Sequence, residues 1–437
     1  MSKEKKIVLF WFRRDLRVHD NTGLSQALES GHKVLPIFIF DPEILDQLPK
    51  SDPRLSFIHQ SITTINNQLK ETYSSGIYTL HNTPELAFKE LFASFDIQGV
   101  YTNEDYEPYA IQRDQAIAAL AQKEGAGFYS FKDQVIFEKN EVVKDDGKPY
   151  VVYTPYKNKW LQRFSSEHPK GINSSEPKLE HVFPFKKDIH SLENLGFIPA
   201  TIKVSDYTVS PTLIEEYEDK RNFPWIENAT SKLGPHLRFG TVSVRDMVRK
   251  AKAQNNQIFL SELIWRDFFM QILWHFPETP TKAFKPAYDR IEWRNNTEEF
   301  EKWKNGQTGY PFVDAGMREL NATGSMHNRV RMLVASFLCK HLLIDWRWGE
   351  AYFAEKLLDF ELASNVGNWQ WAAGSGVDAA PYFRIFNPTT QIDKFDKKHL
   401  YLKKWVPDLE ELTYPTPMVD HKMARERCLS TYKKALA

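Results

Sequence analysis

The rhythm of the apolar residues changes once along this chain, near Pro211, and that change restricts the fold more than any other feature. Before it, short apolar runs at 7–12, 33–40, 76–80, 99–102 and 127–131 alternate with helix-period segments at 55–73, 84–95 and 108–124. Runs that are apolar throughout belong to strands buried on both faces, and the helices between them supply the cover. The pattern predicts an α/β domain with a doubly wound parallel sheet. No G-x-G-x-x-G follows the first run, so the usual dinucleotide fingerprint is missing. From residue 162 to 204 periodicity fades, punctuated by Pro169, Gly171, Pro177, Pro184 and Pro199. After Pro211, helix follows helix: 212–221, 242–253, 258–275, 296–305, 313–321, 327–341 and 348–358. The division read from these patterns is an α/β domain over 1–131, a connector over 132–205 and an all-helical domain over 206–437.

Composition narrows the class of protein. Apolar residues make up 42% of 437, so a folded core is expected, and 57 basic side chains balance 57 acidic ones. An indiscriminate polycation is thereby excluded, and a nucleic-acid surface has to be a local patch. Two cysteines, Cys339 and Cys428, cannot build a disulfide framework and lack metal-site spacing. The opening MSKEKK leads into a strand-length run rather than a leader, and no apolar stretch has membrane-spanning length. A monomeric cytoplasmic protein is expected, nucleoid-associated in a prokaryote, with no metal and no membrane partner.

Aromatic residues point toward chemistry. Ten of the 12 tryptophans follow residue 220. Indoles at that density suit stacking on bases or moving electrons, although buried indoles are common in any core. In SELIWRDFF, Glu262 and Trp265 share a helix face, so a carboxylate and a flat ring can meet one ligand; an apolar stripe beside a surface acid reads equally well. HNRVRM places Asn328 and Met332 four apart on one helix face, with Arg329 and Arg331 turned away from each other; a core helix with solvated arginines reads equally well. Thr230, Ser231 and Lys232 before a Gly-Pro turn could meet phosphate oxygens, or form an ordinary capped turn. In NVGNWQW, Gly367 marks a close backbone approach, and Trp369 and Trp371 point in different directions.

Together SELIWRDFF, WRNN, TGYPFVDAGMREL, MHNRVRM, DWRWGE, NWQW and DAAPYFRIFNP, with FWFRRDLRVHDN near the start, match the photolyase/cryptochrome family in order and spacing. The resemblance spans nearly the whole chain and is greatest to class I cyclobutane pyrimidine dimer photolyases. It implies an antenna-type α/β domain, a helical domain holding FAD, and damaged DNA carrying pyrimidine dimers as the partner. It also implies light-driven repair by electron transfer from reduced FAD to a flipped-out lesion, whose unstacked bases are cheaper to extrude than a normal pair.

Carried over to this sequence, the resemblance gives FAD contacts to Tyr217, Thr230, Ser231, Lys232, Leu233, Phe259, Arg266, Arg331, Asp359, Glu361 and Asn365. Arg331 and Asp359 are expected to pair at the flavin edge. Asn365 faces the central ring nitrogen, and its amide, unable to release a proton, favours the fully reduced cofactor. At the lesion, Glu262 hydrogen-bonds a thymine, Trp265 and Trp371 stack on the dimer, Asn328 and Met332 line the pocket, and Arg221 and Arg329 meet phosphates. Trp369, Trp346 and Trp293 form the photoreduction chain, in that order from flavin to surface.

Three positions depart from the pattern. Glu361 stands for an aspartate, Phe259 for a tryptophan near the adenine, and Tyr109–Ala110 for the Asn-Glu pair of folate-binding relatives. The last weakens a folate antenna and leaves a second chromophore of another kind, or none, open. (6-4) photolyases need a histidine pair where this chain has Asn328 and Met332. A cryptochrome-like photoreceptor without repair is the alternative; such proteins often extend at the C-terminus and lose the lesion-pocket carboxylate or tryptophan.

Overall fold

The computed structural model describes residues 6–168 and 177–437, so Pro169 and Gly171 of the connector lie outside the described residues. Five strands, β1 (Lys6–Phe12), β2 (Lys33–Phe40), β3 (Tyr78–His81), β4 (Asp96–Asn103) and β5 (Gly127–Phe131), form one parallel sheet in the order β3-β2-β1-β4-β5. The side-chain period of two sends alternate residues of β1 into separate cores. Val8, Phe10 and Phe12 join Leu55, Ile62 and Leu69, whereas Ile7, Leu9 and Trp11 join Phe88, Leu91 and Ile117. Helices Pro53–Tyr73, Pro84–Ser94 and Pro108–Lys123 each begin on proline, whose fixed φ and missing N–H suit the first helical position. Two short helices, Thr22–Leu28 and Pro42–Leu45, escaped the periodicity because neither is long enough to show one.

The proline-punctuated connector is less of a linker than its composition suggests. It contains the helix Tyr153–Glu167, and Leu179, Val182, Leu195 and Phe197 are buried in the core that holds Phe10. Its backbone is laced to the sheet region by Phe183 N donating to Val34 O at 2.6 Å and Phe185 N to Ser74 O at 3.2 Å.

By compactness the chain divides into two units. The first holds Met1–Glu138, Phe164–Asp206 and Leu233–Lys250, and the second Lys139–Arg163, Tyr207–Lys232 and Ala251–Ala437. This interleaved division differs from the one drawn along the sequence at 131 and 205. Arg245 shows why most of its helix groups with the sheet: Nε lies 3.0 Å from Asp20 Oδ2 and Nη2 2.8 Å from Asp133 Oδ1.

In the second unit the predicted helix at 212–221 is two pieces, Pro211–Glu215 and Tyr217–Lys220, and that at 327–341 is an α-helix, Asn328–Ser336, continued by a π-helical turn, Phe337–His341. The helix predicted at 348 starts at Trp346, because Asp345 caps it by accepting from Arg347 N at 3.0 Å. After residue 356 four helices were not expected: Leu362–Ala373, Pro388–Phe395, Leu400–Trp405 and His421–Leu436. The last buries Ala424, Cys428, Tyr432 and Ala435, a narrow stripe of mostly small side chains that a search for bulky apolar positions passes over.

Candidate functional site

One pocket of the second unit collects eight of the residues singled out in the sequence. Asn328, Arg331, Met332, Asp359, Glu361, Asn365, Trp369 and Trp371 line it, together with Phe360 and Ser364, which had not been singled out. Three helices, Asn328–Ser336, Trp346–Lys356 and Leu362–Ala373, and the turn between residues 357 and 361 supply the walls. At the start of Asn328–Ser336, His327 caps the helix: its Nδ1 accepts from Arg329 N at 3.1 Å, and Glu319 Oε2 accepts from His327 N at 3.3 Å. The cap fixes the turn that aims Arg331, whose Nε donates to Met326 O at 2.7 Å and whose Nη2 donates to Asp359 Oδ2 at 3.0 Å. The expected Arg331–Asp359 pair is therefore present. Asp359 Oδ1, by contrast, is buried and has no hydrogen-bond partner among the described residues. A buried acceptor of this kind is costly unless a donor completes it.

The opposite wall is the helix Leu362–Ala373. Asn365 is buried and donates through Nδ2 to Glu350 Oε1 at 2.8 Å and to Glu350 O at 3.1 Å. Burial pushes the Glu350 carboxyl up from its ordinary value, and the Asn365 hydrogen bond opposes it. Glu361 is held by Arg266 Nη2 at 3.2 Å and by Ser364 Oγ at 3.1 Å, so Arg266 reaches the pocket through Glu361. Gly367 does mark a close approach: a Cβ there would lie 2.3 Å from the Phe269 ring.

The other expected contacts are not in this pocket's lining. Glu262 and Trp265 lie on Ile258–His275 as the spacing predicts, but Glu262 is ion-paired with Arg221, whose guanidinium also lies 5.2 Å from the Tyr217 ring centre. Trp265 stacks on Tyr153, centroids 3.6 Å apart and planes 7° from parallel, and Phe269 lies 5.4 Å away. Tyr153 went unnoticed because nothing in YVVYTPYK distinguishes it from a core tyrosine; burial holds its hydroxyl well above the usual range. Tyr217 meets Phe259 edge-on at 5.3 Å. Of the candidate phosphate loop, Thr230 and Ser231 are half-buried, Lys232 is exposed with φ +54°, and Leu233 is buried in the first unit. Arg329 is committed within the protein: Nη2 donates to Asn222 Oδ1 at 2.5 Å, and the guanidinium covers Phe395 at 4.4 Å.

Of the three indoles expected to carry electrons, Trp369 and Trp346 are each 2% exposed and Trp293 is half-buried. Trp369 meets Phe353 at 4.9 Å and Trp303 at 6.2 Å, both edge-on. Trp303 lies in the helix Thr297–Lys304, where nothing local distinguishes it from a core indole. Gly349 is required beneath Trp369, since a Cβ there would stand 2.1 Å from the indole.

The first unit holds a second cavity, about 210 Å³, lined by Trp11, Phe38, Phe40, Asp41, Tyr109, Ala110 and Arg113 among others. Its charges are paired with one another. Arg13 meets Asp114, Tyr109 donates to Asp41, and Arg14 Nη1 and Arg238 Nη1 lie 2.8 Å and 2.6 Å from Glu107 Oε1. Arg113 lies over Trp11 at 4.9 Å. Burial alone would raise Asp105, but Arg14 and Arg13 hold its carboxyl down at about 2. Of these residues only Tyr109 and Ala110 were singled out; the RRD of FWFRRDLR was the available signal for Arg13 and Arg14.

A family model described as DNA photolyase matches residues 8–175, and one described as the FAD binding domain of DNA photolyase matches residues 259–413. A deoxyribodipyrimidine photo-lyase of Agrobacterium fabrum is 35% identical over 99% of this chain and 98% of its own. The chain belongs to the DNA photolyase family. It is an enzyme of DNA repair, and FAD is its cofactor. Among solved structures, a class III photolyase from Agrobacterium tumefaciens is 34% identical with a TM-score of 0.88, covering 100% of this chain and 98% of that one. An archaeal photolyase from Sulfolobus tokodaii, solved with two FAD molecules, is 33% identical with a TM-score of 0.82, covering 98% and 99%.

The residues present suit FAD at one end of the second unit's pocket. Asp359 Oδ1 offers an unfilled acceptor for a ring N–H, with Arg331 fixing the carboxylate behind it. About 100 Å³ is enclosed there, room for a ring edge. Among the described residues no group of three or more His, Cys, Asp or Glu side chains could hold a metal ion, and no helix is long and apolar enough to cross a membrane.

Proposed function

We propose that this enzyme uses light to split cyclobutane pyrimidine dimers in DNA. One observation carries the reading: Asn328 and Met332, rather than a pair of acid histidines, share a pocket with the Arg331–Asp359 pair, Asn365 and Trp371. Such a pocket offers an amide, a polarisable thioether and an indole face to a flat, uncharged lesion, with no group suited to protonating it. FAD, when bound and reduced, supplies the light-excited electron.

The remaining roles belong to the chain itself. Asp359 and Arg331 hold one ring edge in register, and Asn365 presents an amide whose N–H is already committed to Glu350. Glu262, ion-paired with Arg221, is the carboxyl group that meets a lesion carbonyl once Arg221 gives way or shares it. Trp371 and Trp265 clamp the extruded bases by stacking, and Tyr153 holds Trp265 rigid from one side. Trp369, Trp346 and Trp293 relay electrons inward to the pocket. The division into an antenna-type domain over 1–131, a connector and a helical domain from 206 is retained as a functional one. The cavity of the first unit, aromatic and rimmed by arginines, is its seat for a second, planar chromophore. The enzyme acts as a monomer.

The test separates two roles within the pocket. Trp265→Ala is expected to weaken binding of dimer-containing DNA by roughly 1–3 kcal/mol and to leave undamaged duplex binding nearly unchanged. Glu262→Gln is expected to keep most of the affinity and to lower the yield of splitting per absorbed photon. Equal loss of lesion and undamaged binding in both variants would put the lesion pocket elsewhere.

A further inference from the structure

The segment 132–205 reads as a connector in the sequence, yet its helix Tyr153–Glu167 opens against the residues assigned to the lesion. Tyr153, the first residue of that helix, is 6% exposed. Its ring lies flat on Trp265, centroids 3.6 Å apart and planes 7° from parallel. The phenol is buried and the indole half-buried, so the phenol forms the inner layer of the pair and the indole the outer one. Phe268 meets both rings edge-on, at 5.9 Å from Tyr153 and 5.6 Å from Trp265. A flat ring pressed on a second ring in this way can tilt only by giving up the stacked contact.

The hydroxyl of Tyr153 makes a second, separate grip. It donates to Ser261 O at 2.7 Å, and Ser261 Oγ lies 2.6 Å from it. In an α-helix the carbonyl of residue 261 also receives the N–H of residue 265, so the hydroxyl holds the turn from which both Glu262 and Trp265 project. A third grip is on the backbone, where Tyr153 N donates to Asp378 Oδ2 at 3.3 Å and fixes the start of the helix. From these contacts we infer that Tyr153 is a positioning residue of the lesion site: its ring sets the tilt of Trp265, and its hydroxyl, through Ser261, sets the direction of Glu262. The inference rests on the reading that Trp265 stacks on the dimer and Glu262 meets its carbonyl. Tyr153 acts only through those two side chains. Arg221 holds the Glu262 carboxylate at its far end, so once Arg221 gives way the Ser261 turn decides where that carboxylate points.

The experiment uses the full-length, flavin-loaded and reduced protein with dimer-containing and undamaged duplexes, and reads affinity and the yield of splitting per absorbed photon separately. Tyr153→Leu removes ring and hydroxyl, whereas Tyr153→Phe removes the hydroxyl alone. Tyr153→Leu should weaken lesion binding by about tenfold, within the range of a disturbed stacking contact, and leave undamaged duplex binding unchanged. Tyr153→Phe should restore lesion affinity to within about twofold of the parent, yet lower the yield of splitting by about two- to tenfold, the worth of one hydrogen bond. A tyrosine that merely fills space would not separate the two readouts: lesion binding, undamaged binding, flavin retention and melting temperature would fall together, and that result overturns the inference. So does lesion affinity unchanged in Tyr153→Leu, or a Tyr153→Phe variant that matches the parent in yield. Should Tyr153→Leu fail to fold, the yield of Tyr153→Phe still decides. Trp265→Ala, run alongside, distinguishes the two levels: if it leaves lesion binding intact, the stacking reading itself is wrong, and the role of Tyr153 falls with it.

Discussion

The two cavities of this protein treat their polar groups in opposite ways. In the first unit Arg13 pairs with Asp114, Arg14 and Arg238 with Glu107, and Tyr109 with Asp41, around an aromatic space. In the second, Asp359 Oδ1 is buried without a partner among the described residues, while its neighbours Arg331, Glu361 and Asn365 are fixed by side chains behind them. A closed network holds its own walls, whereas an open acceptor in a fixed frame waits for a donor from outside. Integrity in the first cavity should depend on its own ion pairs, and in the second on what binds.

The largest effect should come from breaking the closed network. Asp114→Ala leaves Arg13, in a mostly buried setting, without its carboxylate, and is expected to destabilise the first unit by roughly 3–5 kcal/mol. Thermal melting should show the loss, with FAD still bound in the folded fraction. Its counterpart, Asp359→Ala, should instead weaken FAD retention by roughly 1.5–3 kcal/mol, read by flavin titration, with little change in melting of the flavin-free protein. If both substitutions cost stability alike, the contrast between closed and open cavities fails.

Packing comes next. Gly349→Ala drives a methyl group into the Trp369 ring and should cost about 1–3 kcal/mol. It should also slow light-driven reduction of oxidised flavin, as should Trp369→Phe, which leaves the backbone untouched. Protein reduced chemically beforehand should still repair in both cases. A repair defect that survives chemical reduction would mean that Trp369 is structural only.

The smallest effect concerns pH. Burial raises Glu350 above its ordinary carboxylate value, so its proton binds more tightly in the folded state. Stability from this group is complete below the ordinary pKa and is lost as pH rises from there through the raised folded value. Glu350→Gln, which can still accept from Asn365, should therefore flatten the melting temperature over that window and leave it unchanged below. A variant whose melting temperature tracks the parent at every pH would show that Asn365 holds the carboxylate ionised.

The sheet was legible because β1 and β2 are apolar in nearly every position, which leaves only a strand buried on both sides. The helix at 258–275 was legible to the residue for a similar reason. The connector misled because prolines punctuate it with Ser, Lys and Glu between, yet four spaced apolar residues decide where it packs. At the site, spacing on one helix placed Asn328 beside Met332, but no local pattern reveals Tyr153 beneath Trp265 or Glu350 behind Asn365. Those partners come from distant segments and are ordinary in their own surroundings. Arg221 illustrates the same limit: its charge was visible, its commitment to Glu262 was not.

The most direct test of the account is repair itself. The flavin-reduced protein is illuminated with near-UV or blue light on an oligonucleotide carrying one cyclobutane thymine dimer, beside a dark control and an oligonucleotide carrying a (6-4) product. The pocket of Asn328, Met332 and Trp371 predicts restored thymines in the light, none in the dark and an untouched (6-4) product. Dimers left intact by the illuminated, reduced protein would contradict it.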